Sequence, residues 1–321
     1  MTPPAFTDAV AVPAPFPGVG VVVHERAESW LAEAGRLVRP RIAVMVLATV
    51  ASGFWLTAGR PESVVGFIAV LVGTALVAAS SSIANQILER DTDQLMARTA
   101  SRPIAAGRLS VRDAWWMTAA TLVVGSVVTW AGGGVGATAA AVATWLLYVL
   151  AYTPLKRITP LNTAVGAVAG ALPVAIGWCA AGGPVRLAAG DARSALAVAA
   201  LATVLYLWQF PHFMAIAWLY RRQYESAGLR MLTVVDPSGL RAAGQSLAAA
   251  LAMLPASLVL AVPSASIPLF LVASVAAVSY VLATVRFAVR RDDASARSLL
   301  LTSLGSLLGL LTAAVAFGRP V

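Results

Sequence analysis

From residue 42 to residue 317 the sequence is one long apolar run after another. A run of about 20 apolar residues spans the ~30 Å hydrocarbon core of a bilayer as a helix. Unpaired backbone groups are too costly there, so only helices or closed barrels cross. The runs are continuous rather than alternating, which argues against a transmembrane β-barrel. Charged residues are 12% of the chain, about half the share in soluble proteins. A soluble enzyme, a disordered protein and a disulfide scaffold are excluded, the last because Cys179 is the single cysteine. The expected class is an all-α polytopic membrane protein.

Nine segments are long enough to span: 39–58, 63–89, 112–131, 135–152, 161–181, 194–221, 241–262, 265–286 and 297–317. Residues 1–36 are polar and Pro/Ala-rich and show no cleavable signal, so the first span is expected to direct insertion. That tail is either disordered or, over 24–36, a short amphipathic helix on the membrane surface. The membrane domain is then 37–321. The net charge of +9 reads as topology, not as nucleic-acid affinity. Of 23 basic residues, only Arg60, Arg186, Arg193 and Arg319 fall on one side of the nine-span scheme, leaving 19 on the other. The positive-inside rule puts those 19 and the N-terminus in the cytoplasm, and the C-terminus outside.

Acidic residues number only 14, so the segment 81–93 (SSIANQILERDTD) stands out. On a helix, Asn85, Glu89 and Asp93 fall on one stripe, while Asp91 points elsewhere. Their oxygens suit Mg²⁺, which takes a few carboxylates plus waters and substrate phosphates. Arg98 and Arg102 follow just beyond, as a diphosphate would require. A second loop on the same side carries Lys156 and Arg157, with Asn162 a little beyond. A third region surrounds Pro211, which is expected to kink its helix or free a carbonyl. There Trp208, His212, Leu219 and Gln223 share a face by the 100° count, and His212 is expected at the depth of Asn85. Polar groups at that depth tend to be functional.

These residues resemble a known family. Asn85-Gln86-x-x-Glu89-x-x-x-Asp93-x-x-Met96-x-Arg98-Thr99-x-x-Arg102-Pro103 is similar to the first signature of the UbiA-type intramembrane prenyltransferases, in the branch of the haem O synthases. Leu37-Val38-Arg39-Pro40-Arg41, Tyr152-Thr153-Pro154-Leu155-Lys156-Arg157 with Asn162-Thr163, and Trp208-Gln209-x-Pro211-His212-Phe213 with Tyr220-Arg221 resemble further stretches of that branch. The likeness runs from about 37 to 240. It implies a UbiA-like bundle of nine helices in the bacterial cytoplasmic membrane. It also implies farnesyl diphosphate and haem b as substrates, haem O and diphosphate as products, and a haem A synthase downstream. Asn85, Glu89 and Asp93 would hold Mg²⁺, with Arg98 and Arg102 catalytic. Lys156, Arg157, Asn162, His212, Tyr220 and Gln223 would bind the substrates. Gln223 departs from the pattern, which has Asp there to help hold a second Mg²⁺. The alternatives are a UbiA-type enzyme acting on an aromatic quinone precursor or a chlorophyllide, and a transporter. The resemblance at 98–103 and 208–213 disfavours the first. The polar clusters at helix ends disfavour the second.

Overall fold

The computed structural model describes residues 30–318. Its regular elements are all helical: α1 (Trp30–Val38), α2 (Pro40–Ala58), α3 (Val64–Leu88), α4 (Arg90–Gln94), α5 (Val111–Leu146), α6 (Thr153–Leu155), α7 (Asn162–Ala171), α8 (Pro173–Ala180), α9 (Gly183–Ala188), α10 (Arg193–Leu219), α11 (Arg221–Ser226), α12 (Leu232–Val235), α13 (Leu240–Val259), α14 (Ile267–Arg290) and α15 (Asp293–Phe317). A π-helical turn over Leu147–Tyr152 joins α5 to α6.

Among the described residues, eight helical stretches are long and apolar enough to cross a membrane. One of them, Val111–Leu155, has 45 residues, about 68 Å if straight. It is not straight. Gly134 breaks it with φ 73° and ψ −174°, a conformation that glycine adopts without a Cβ clash. Ser80 then touches both arms. Its hydroxyl donates to the Thr118 carbonyl at 2.8 Å and accepts from Trp145 Nε1 at 3.0 Å. Thr118 and Trp145 are 27 positions apart, about 40 Å along a continuous helix. The stretch therefore folds back at Gly134, and nine spanning arms arise from eight helices.

Small residues let the arms approach, the usual device where lipid removes any hydrophobic drive between helices. Gly73 on α3 faces Gly125 on α5, and a Cβ on either would strike the other helix's backbone. At one end of the bundle Thr57, Asp191, Arg193, Leu260, Ser264 and Gly318 surround one small cavity. The end of α15 thus lies on that face. The end of α3, the start of α2 and the loop after α6 gather at the opposite face.

The structure bears on three expectations. Residues 30–36 are helical, one of the two expected readings: α1 runs on past 36 and is tied to α3, where Ser82 Oγ donates to the Leu37 carbonyl at 2.7 Å and Gln86 Nε2 to the Arg36 carbonyl at 3.0 Å. The rest of the expected tail lies outside the described residues. The last span starts at Asp293, four residues early, because Asp292 forms a capping box with Ser295 that satisfies the first free N–H groups. Pro211 lies inside α10, which runs on through it, and having no N–H it leaves the Leu207 carbonyl without its usual helical donor. Tyr280 Oη donates to the neighbouring Trp208 carbonyl at 2.6 Å.

Candidate active site

The end of α3 sets the site. Helical bonds continue from Asn85 through Glu89 to Asp93 across the junction with α4, so the three residues keep one stripe. Asp91 points away, its side chain 72% exposed, against 10% for Glu89 and 0% for Asp93.

Each carboxylate meets a cation. Lys156 Nζ donates to Glu89 Oε1 at 2.6 Å. Arg102 Nη1 donates to Asp93 Oδ2 at 2.5 Å and lies 3.8 Å from Glu89 Oε2. Burial alone would push the Glu89 carboxyl up, but Lys156, Arg39 and the Asn85 amide outweigh it and hold the pKa below its usual range. Burial raises the Asp93 carboxyl, the Arg102 charge opposes it, and the charge of Glu89 adds to the rise. Burial disfavours the charged Lys156 ammonium, yet Glu89 more than reverses this and its pKa rises. Burial and the nearby charge of Arg39 lower the Arg102 guanidinium. The two carboxylates share one field: one is firmly ionised, and the other is poised to gain from a further cation.

Asn85 stands behind this pair rather than at the cavity wall. Its Nδ2 donates to Glu89 Oε2 at 2.7 Å and its Oδ1 accepts from Thr153 Oγ1 at 3.1 Å. Reversing the amide would set Oδ1 against the ionised Oε2, so the orientation is fixed by Glu89. Asn85 therefore positions Glu89, and both its polar ends are taken. Asp93 Oδ1 is different: it is buried and has no partner. A buried lone pair without a donor is costly and marks where a cation fits. Among the described residues no three His, Cys, Asp or Glu side chains cluster to hold a metal. Two carboxylates with open valences suit Mg²⁺ that also takes waters and phosphate oxygens.

Glu89 and Asp93 line a cavity of about 470 Å³, with Arg39, Arg98, Arg102 and Lys156 at its charged end. Its other walls are apolar, with Val46, Val77, Ile176 and Phe213 among them, and include Asn162, Gln209 and His212. Such a vessel, charged at one end and apolar beyond, suits a molecule with an anionic head and a hydrocarbon tail.

The remaining sequence candidates divide. Asn162 lines the cavity and donates through Nδ2 to the Thr159 carbonyl at 2.7 Å. Arg98 lines it too, with its guanidinium 4.8 Å from the Tyr220 ring centre. Arg157 instead faces out, reaching the Leu88 carbonyl at 3.4 Å. Tyr220 and Gln223 hold Arg98 from behind: Gln223 Oε1 accepts from the Arg98 backbone N–H at 3.3 Å. Gln223 does not continue the face of His212. Tyr220 ends α10 with φ −109° and ψ 16°, and α11 sets off from there.

Several lining or supporting residues escaped the candidate set. Arg39 has a left-handed backbone, φ 50° and ψ 68°, and a buried Nη2 with no partner. Its side chain acts on both Glu89 and Asp93. Tyr152 carries Lys156 Nζ 4.3 Å from its ring centre. Thr153 anchors Asn85. All three lie in stretches that resemble the family, which was the available signal.

Comparison with known proteins agrees. The profile of the UbiA prenyltransferase family matches residues 46–313. The chain is similar to a protoheme IX farnesyltransferase of Rhodopirellula baltica, 41% identical over 86% of this chain and 96% of that protein. It is 36% identical to a protoheme IX farnesyltransferase of Solibacter usitatus over 84% of this chain and 92% of that one. Its fold matches a UbiA homolog from Archaeoglobus fulgidus solved with DMAPP and Mg²⁺, with a TM-score of 0.65, 18% identity, and 88% and 99% of the two chains covered. The chain belongs to the UbiA prenyltransferase family.

Proposed function

We propose that this protein transfers the farnesyl group of farnesyl diphosphate to a vinyl group of haem b, giving haem O and diphosphate. The relatives named above support the choice of donor and acceptor. The observation that carries the chemistry is the cavity itself, with four basic side chains and two acidic ones at one end and hydrocarbon walls beyond.

An allylic diphosphate ionises when charge on the leaving group is offset. Arg39, Arg98, Arg102 and Lys156 are placed before the reaction, which is how charge stabilisation is gained without reorganisation. Glu89 and Asp93 hold Mg²⁺, with Asn85 fixing the orientation of Glu89. Mg²⁺ supplies Lewis-acid neutralisation of the diphosphate oxygens. The apolar walls keep water from the allylic cation until the vinyl carbon attacks it. Water then adds to the porphyrin-side cation and releases one proton, leaving a hydroxyethylfarnesyl group. The charged face lies in the cytoplasm of a bacterial cell, by the charge bias of the loops. Residues 37–321 form the catalytic membrane domain.

The test is diphosphate release by the purified full-length protein in detergent. It is expected only when farnesyl diphosphate, haem b and Mg²⁺ are all present, and to stop on chelation. Equal release in excess chelator contradicts the metal-assisted step. Release with a quinone precursor in place of haem contradicts the acceptor.

A further inference from the structure

His212 and Ser303 form a pair whose proton positions can be worked out. His212 Nδ1 lies 2.7 Å from Ser303 Oγ. Ser303 Oγ also lies 2.6 Å from the Leu300 carbonyl, which can only accept. The hydroxyl has one proton. If it went to His212, two bare oxygens would face each other at 2.6 Å. Both contacts are hydrogen bonds only when Ser303 donates to Leu300 and His212 Nδ1–H donates to Ser303. Nδ1 therefore carries a proton, and in the neutral imidazole this tautomer leaves the lone pair on Nε2.

The surroundings use up every other polar group of this patch. Trp208 stacks on His212 with centroids 4.5 Å apart, and its Nε1 donates to the Ser303 carbonyl at 2.8 Å. Tyr280 Oη donates to the Trp208 carbonyl at 2.6 Å. Nε2 of His212 makes no hydrogen bond among the described residues, although His212 lines the cavity. Nε2 is not sealed in the protein interior but opens to the cavity, where a ligand can reach it. A neutral imidazole whose other nitrogen donates to a fixed acceptor is the usual form of a metal-ligating histidine.

We infer that His212 Nε2 is an axial ligand to the iron of the haem acceptor, and that Ser303, on a different helix, is the positioning residue that fixes its tautomer and ring plane. This rests on the haem-acceptor reading above. Ligation would hold the porphyrin in one orientation against α10, so that one vinyl group is presented to the allylic carbon.

The test titrates haem b into the full-length protein in detergent and follows the Soret band, with resonance Raman of the ferrous form. Wild type is expected to show a histidine-ligated spectrum with an iron–histidine stretching band. His212→Ala and His212→Gln are both expected to lose that signature and to weaken haem binding tenfold or more. Excess imidazole is expected to restore the spectrum in the alanine variant. Ser303→Ala is expected to shift the iron–histidine band, and Ser303→Thr, which keeps the hydroxyl, to restore it. Binding of farnesyl diphosphate is expected to be unchanged in all four. Wild-type spectra from both His212 variants overturn the ligand, and the haem reading then stands without it. An unshifted band in Ser303→Ala overturns the role of Ser303. Failure of the wild type to bind haem overturns both the inference and the reading beneath it.

Discussion

Lys156 Nζ lies 2.6 Å from Glu89 Oε1, across 67 positions of sequence. This contact ties the loop after the folded-back arm to the end of α3, and it fixes the charge of the carboxylate that faces the cavity. Lys156→Met leaves a buried carboxylate without its cation. Breaking a buried pair in this way costs about 3–5 kcal/mol. The variant is expected to unfold at lower temperature in detergent, and to lose about 100-fold or more in turnover, the order lost with one charge-stabilising donor. An unchanged unfolding temperature would show that the pair does not organise the site.

Glu89→Ala and Asp93→Ala are expected to abolish prenyl transfer while the protein still inserts. Asp91→Ala is expected to stay within about twofold of wild type, because surface substitutions away from a site change little. The comparison of Asp91 with Asp93 isolates the helical face, since the residue type and depth are nearly the same. Turnover of all three side by side is the measurement. Equal damage from Asp91 and Asp93 would remove the stripe as the basis of the site.

Much of this site was legible because it lies on one helix end. The i, i+4 spacing of Asn85, Glu89 and Asp93 survives in the structure, as helical periodicity requires. The spans were legible for the same reason. What periodicity could not carry is what depends on a break or on a distant partner. The face drawn through His212 and Gln223 fails because the chain turns at Tyr220, and nothing in a 100° count reveals a helix end that lacks a glycine or proline. Asn85 carries the right atoms for a metal, yet Thr153, 68 positions away, takes its oxygen. The left-handed Arg39 precedes Pro40, so a sequence reading assigns it an ordinary extended backbone. The pairing of His212 with Ser303 spans 91 positions and joins a motif to a serine in an otherwise uninformative helix.

Nine arms put the two ends of the membrane domain on opposite faces, and the proposed orientation, read from the charge bias of the loops, has the start of α2 in the cytoplasm. A periplasmic phosphatase fused after the last residue is therefore expected to be active, and a fluorescent protein that folds only in the cytoplasm to be dark. The reverse pair of results would require the Val111–Leu155 stretch to cross once, against the contact of Ser80 with both of its arms.

The most direct test of the central claim is mass analysis of haems extracted from cells that make this protein and otherwise lack haem O. A haem heavier than haem b by one farnesyl group plus one hydroxyl group is expected, present with the wild-type chain and absent with Glu89→Ala. Haem b alone in both, from cells in which the wild-type protein is inserted and intact, would contradict it.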